Sequence, residues 1–150
     1  MSDNTDTILA SEFKIVRQFK ASAERVFDAW LDPDGVGNWL FASADGVMQR
    51  VEMDPRVGGK FVISDQRGDE LAEHFGTFLE IERPSRLVFS YNMDPTEPQT
   101  VVTIEIVPLD EGCRLTLSHD MDPKWGDISE QVNEGWTMIL EGLSAIVINL

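Results

Sequence analysis

A chain of 150 residues with 27 acidic and 12 basic side chains carries a formal charge of -15. That charge repels phosphate backbones and anionic bilayers, and no Lys/Arg cluster offsets it, so neither nucleic acid nor a membrane is an expected partner. A hydrophobic content of 42%, with four Trp and eight Phe, is ample for one core.

Residues 1–10 are polar and read as a flexible tail, with residues 11–150 forming one domain. The first ten residues carry acids where a signal peptide needs bases, and lack its apolar stretch. No run reaches the roughly 18 apolar residues of a membrane-spanning helix. Cys113 is the single cysteine, so no intrachain disulfide forms. Together these features give a cytoplasmic expectation.

A mostly alternating set of apolar positions at Phe13, Ile15 and Phe19 predicts a first strand over 12–20. Ser22 is placed to cap a helix carrying Val26, Phe27 and Trp30 on one face. Asp32-Pro33 reads as the start of a second short helix, cut off by Gly35 and Gly37. Strand patterns follow at 48–54, 59–65, 73–82, 87–92, 100–107 and 113–120. The turn sequences QRGD, RPSR and LDEG join three pairs of them, and a longer proline-bearing loop covers 93–99. From Ile128 onward the apolar period changes to steps of three and four through Val132, Trp136, Ile139, Leu143, Ile146, Val147 and Leu150. This marks a long amphipathic helix, with Asp127 and Glu130 as a capping-box variant. Gly135 and Gly142, seven apart, predict a close neighbour on that side.

Seven short strands must bury one face, and only one long helix is available to cover it. The expectation is an α+β fold in which a curved antiparallel sheet wraps that helix, two short helices close one end, and a cavity remains.

The stretches VRQFKASAERVFDAWLDPDGVGNWL, VEMDPRVGGKFVI, GTFLEIERPSRLVFSY, VVTIEIVPLDEGCRLTLSH and EGWTMILEGL carry a family resemblance, in that order. The chain resembles the activator of heat-shock-protein-90 ATPase homologue-like family, within the START-like, or SRPBCC, helix-grip superfamily (Bet v 1-like). The resemblance spans about residues 12–147. It implies a β-α-α-β6-α topology and a cavity between sheet and long helix. It also implies a chaperone or regulatory protein as a possible class of partner.

Several patterns invite chemistry. Gly58-Gly59 in VEMDPRVGGKFVI is followed by a strand rather than a helix, so it reads as a turn or bulge with positive φ and not as a phosphate cradle. SHDMDP offers His119, Asp120 and Asp122, but this spacing lacks a metal-site signature, and no metal or cofactor is expected. Cys113 has no histidine beside it, no G-x-S-x-G occurs, and two His and one Tyr leave few proton-transfer groups. No catalytic residue is assigned.

The aromatic set is the strongest functional signal. Trp39, Phe41, Phe61, Phe89, Tyr91 and Trp136, with His119 and Leu140, come from elements predicted to meet around one concave space. His119 alternates with Leu115 and Leu117, and Arg17 alternates with Ile15 and Phe19, so both have an inward orientation open to them. Inward, Arg17 needs a carboxylate or a ligand. Pockets are lined by such apolar groups with a few polar ones. The reading is a binder of a lipid-like or aromatic molecule, as a monomer or weak homodimer. The alternatives are a co-chaperone-like interaction module and a cavity-based enzyme.

Overall fold

The computed structural model describes residues 12–40, 47–92, 100–120 and 129–148. The expected tail, Phe41, the 93–99 loop, Asp122, the Asp127 cap, Ile128 and Leu150 lie outside them. Seven strands form one curved sheet: β1 (Glu12–Phe19), β2 (Val47–Met53), β3 (Lys60–Arg67), β4 (Glu70–Glu82), β5 (Arg86–Tyr91), β6 (Thr100–Leu109) and β7 (Gly112–Asp120). Their spatial order is β1-β7-β6-β5-β4-β3-β2, and every neighbouring pair is antiparallel. The first strand closes against the last.

Helix α1 (Ala23–Trp30) begins where expected, with the Ser22 hydroxyl accepting from the Arg25 N–H at 3.1 Å. It buries Ala23, Val26, Phe27 and Trp30. The expected second helix is reduced to a turn and three 3-10 residues, Val36–Asn38. Asp32 does cap that turn, its carboxylate accepting from the Asp34 N–H. Helix α2 (Ser129–Ile148) buries Trp136, Leu140, Leu143 and Val147, one stripe of a 3.6-residue repeat.

The double glycine shapes the chain. Gly58 has φ +86°, a region that side chains with a Cβ avoid. Gly59 is buried, and a Cβ there meets the Asp54 carbonyl oxygen. Gly58 N–H and Gly59 C=O bond to Phe78 at 2.8 and 2.9 Å, extending the β3–β4 ladder. Gly59→Val is therefore expected to lower stability by about 2–3 kcal/mol through overpacking against backbone. Urea denaturation of both proteins checks this, and an unchanged midpoint contradicts it.

Gly142 meets the expectation of a close neighbour, since a Cβ there comes within 3.2 Å of the Trp39 Cβ. Gly135 does not: it is exposed, with nothing within 4 Å of a Cβ. Seven residues return a helix to the same side but two turns further along, and the Trp39 segment reaches only one of the two positions.

Candidate functional site

Alternation along the strands sends Ile63 and Asp65 of β3, His74 and Phe78 of β4, Phe89 and Tyr91 of β5, and Leu117 and His119 of β7 to the concave face. The result is a continuous layer of rings. Trp39 stands edge-on to Trp30 at 4.8 Å, and Trp30 contacts Phe89 at 6.3 Å and Trp136 at 6.5 Å. Phe89 meets Phe61 at 5.5 Å, and Phe61 meets Phe78 at 5.6 Å. In the other direction the layer continues from Trp136 to His119 at 6.0 Å, Tyr91 at 5.7 Å and His74 at 5.9 Å.

The structure thus joins Trp39, Phe61, Phe89, Tyr91, His119 and Trp136 in one layer, and Leu140 lies buried in the same core. Trp30, His74 and Thr100 were not among the site residues read from the sequence. The inward stripe of α1 already contained Trp30, but as core. His74 reaches Tyr91 as a diagonal cross-strand neighbour, and Thr100 reaches His119 across the β6–β7 ladder. Neither meeting has a local sequence signal.

Gly76 makes the layer possible. It pairs with Phe61, and its place between the Phe75–Asn92 and Phe78–Phe89 pairs sets it opposite Tyr91. A Cβ there runs into the Phe61 ring and the Ser90 carbonyl oxygen. The missing side chain lets Phe61 lie flat across the strand.

The polar end of the layer holds both histidines and the sole tyrosine of the chain. Trp136 Nε1–H points at His119 Nδ1 at 3.2 Å, which makes Nδ1 an acceptor and puts the ring proton on Nε2. Nε2–H then donates to Thr100 Oγ1 at 2.8 Å, and the Thr100 hydroxyl donates to the Tyr91 carbonyl at 3.0 Å. His74 Nδ1 lies 3.1 Å from the Ile63 carbonyl, so that nitrogen carries the proton. Burial pushes both imidazoles down to about 4, leaving them neutral at physiological pH. Desolvation likewise holds the Tyr91 hydroxyl protonated, above the usual phenol range. Beside them Asp65, with its side chain 1% exposed, is matched by Arg67 at 2.9 Å.

Arg17 does turn toward α2, but it meets neutral oxygens, the Val16 carbonyl at 2.9 Å and Thr137 Oγ1 at 3.4 Å. Cys113 is buried, with its thiol pushed up by desolvation, as a small core residue is. Among the described residues no group of three His, Cys, Asp or Glu is arranged to hold a metal. No described helix is long and apolar enough to cross a membrane. A groove of about 520 Å³ opens between the β1–α1 junction and the β6–β7 turn, lined by Lys20, Ser22, Glu24, Pro108 and Asp110 among others. None of its lining residues belongs to the ring layer.

A curved antiparallel sheet gripping one long C-terminal helix defines the helix-grip class of START-like proteins. The chain belongs to the family described as Activator of Hsp90 ATPase homolog 1-like protein, whose sequence profile matches residues 20–147. A crystal structure of a protein from Chromobacterium violaceum is 26% identical, with a TM-score of 0.83, covering 91% of this chain and 96% of that one. The solution structure of an AHSA1-like protein from Aeromonas hydrophila is also 26% identical, with a TM-score of 0.76 and 92% of each chain covered. A Staphylococcus aureus protein of unknown function shares the fold at 19% identity and a TM-score of 0.79, over 92% of this chain and 93% of that one. No curated protein matches the sequence.

Proposed function

We propose that the protein binds an apolar small molecule, lipid-like or aromatic, against the concave face of its sheet. The observation that carries this reading is the unbroken ring layer from Phe78 through Phe61, Phe89, Trp30, Trp136, His119 and Tyr91 to His74. An apolar lining with a few placed polar groups at one end suits a ligand with an apolar body and one polar tip. The two histidines, being neutral, do not oppose entry of such a ligand by their charge.

Among the described residues, the spread of the large exposed apolar side chains over six segments favours this over the interaction module. Val16, Val47, Val57, Leu71, Leu79, Val107 and Met138 come from β1, β2, the β2–β3 turn, β4, β6 and α2. Single exposed side chains of that kind are ordinary, whereas a docking face is a contiguous patch of several hundred Å².

Titration with N-phenyl-1-naphthylamine tests the proposal. Its fluorescence is expected to rise to saturation with the wild-type protein, and Phe89→Leu, which keeps an apolar side chain but removes a ring, is expected to weaken binding. A flat response from folded wild-type protein sinks the reading.

A further inference from the structure

Trp30 lies at the centre of the ring layer, 1% exposed, touching Trp39, Phe89 and Trp136. Its indole N–H is buried and has no acceptor among the described residues. Trp136, by contrast, spends its N–H on His119. Nearly all buried polar groups in folded proteins are paired, because an unmade hydrogen bond leaves the full cost of desolvation. The Trp39 ring stands at 89° to that of Trp30, and an N–H aimed at a ring face is only a second-order substitute for an oxygen acceptor. The layer therefore contains a fixed donor that calls for an oxygen.

The charges around the layer narrow the kind of oxygen. Arg67 is matched by Asp65. Arg17 bonds the neutral oxygens of Val16 and Thr137 and keeps its charge, on the side where β1 meets α2. His119 uses both ring nitrogens inside the protein, and protonating Nδ1 sets two N–H groups against each other. A carboxylate accepting from the Trp30 N–H gives up its hydration for an uncharged donor, whereas a carbonyl needs only a donor.

We infer that the layer takes a flat, uncharged ligand bearing a carbonyl group, with the carbonyl oxygen received by Trp30 Nε1–H. The inference rests on the small-molecule reading of the site and goes beyond it by naming the ligand class and the residue that selects it. Trp30 is a specificity-determining residue in this account. His119, held between Trp136 and Thr100, is a positioning residue that keeps the neighbouring indole in place.

Three probes with one skeleton separate the possibilities: 2-acetylnaphthalene, 2-ethylnaphthalene and 2-naphthoate, titrated into full-length 15N-labelled protein. The indole N–H resonances are followed, and that of Trp30 is assigned by its loss in Trp30→Phe. The acetyl compound is expected to bind about tenfold tighter than the ethyl compound, the net worth of one hydrogen bond, and to move the Trp30 resonance downfield. Trp30→Phe is expected to retain ethyl binding and lose the acetyl preference. Naphthoate is expected to bind at least about tenfold more weakly than the acetyl compound, even in 0.5 M salt where long-range repulsion is screened.

Equal binding of the acetyl and ethyl probes, with no distinct shift at Trp30, overturns the inference while leaving the small-molecule reading intact. It assigns the N–H to a water or to the Trp39 ring. Tighter binding of naphthoate overturns it in favour of Arg17 or Arg67 as an anion reader. If none of the three binds, the underlying reading fails as well. Should Trp30→Phe not fold, the wild-type comparison and the wild-type spectrum still decide.

Discussion

Lowering the pH from 7 to 4.5 is expected to cost the fold about 2–3 kcal/mol for each of His74 and His119, as one pKa unit is about 1.4 kcal/mol. Both imidazoles are lowered by burial from 6.5 to about 4. The unfolded chain therefore binds two protons that the folded chain refuses. The stability they contribute is complete above pH 6.5, falls as the pH drops through that value, and is gone below about 4.

For His119 there is a structural cause as well as a dielectric one. A proton on Nδ1 faces the Trp136 N–H and breaks the bond tying α2 to β7. On His74, Arg67 opposes protonation and Asp65 favours it, so their fields partly cancel. The surface carboxylates held low by arginine, Asp28 by Arg83 and Glu52 by Arg50, start from ordinary values of 3.8 and 4.5. Their loss begins at the acid edge of the window, which isolates the histidines. Urea denaturation at the two pH values reads the difference, and His119→Gln should remove its share of the slope. A change under about 1 kcal/mol means that these rings are not held neutral by burial.

Gly76→Val is expected to destabilise by about 4 kcal/mol, at the severe end of the range for point substitutions. The added side chain meets two obstacles that cannot both yield. One is the Ser90 carbonyl oxygen, fixed in the β4–β5 region where the Thr77 N–H bonds the Ser90 hydroxyl at 3.0 Å. The other is the Phe61 ring, wedged between Phe78 and Phe89. Gly76 does not have a positive φ, so backbone strain plays no part and the cost is steric. Equilibrium denaturation and near-ultraviolet circular dichroism report it together. A variant with native stability and an unchanged aromatic signal refutes the role given to Gly76.

Most of the architecture could be read from local pattern. Apolar strand patterns bounded by turn sequences located all seven strands to within a few residues, with alternation clear in β6 and β7 but absent from β5, where Leu87 to Ser90 are all buried. Ser22 and Gly58 could be placed because a helix start and a positive φ each require a particular chemistry. His119 was readable as inward from Leu115 and Leu117 alone.

What stayed hidden depended on register between distant strands. His74 lies 17 residues before Tyr91, and their stacking follows from a diagonal across β4 and β5 that only the assembled ladder defines. Thr100 likewise becomes a partner of His119 only once β6 and β7 pair. Trp30 looked like ordinary core because an apolar stripe says which face of a helix turns inward, not whether an N–H finds an acceptor there. The shortness of the second helical piece was legible for a local reason. Asp32 holds the preceding turn by accepting from the Asp34 N–H, and glycines at 35 and 37, poor helix formers, end the piece after three 3-10 residues.

The central claim is that the concave ring layer holds a small molecule. Native mass spectrometry of the protein purified from its own source organism, without added ligand, addresses it most directly. A reproducible adduct of a few hundred daltons is expected, displaced by N-phenyl-1-naphthylamine and diminished in Phe89→Leu. Bare protein, accompanied by a stoichiometric protein partner whose binding survives Phe89→Leu, contradicts it and makes the chain an interaction module.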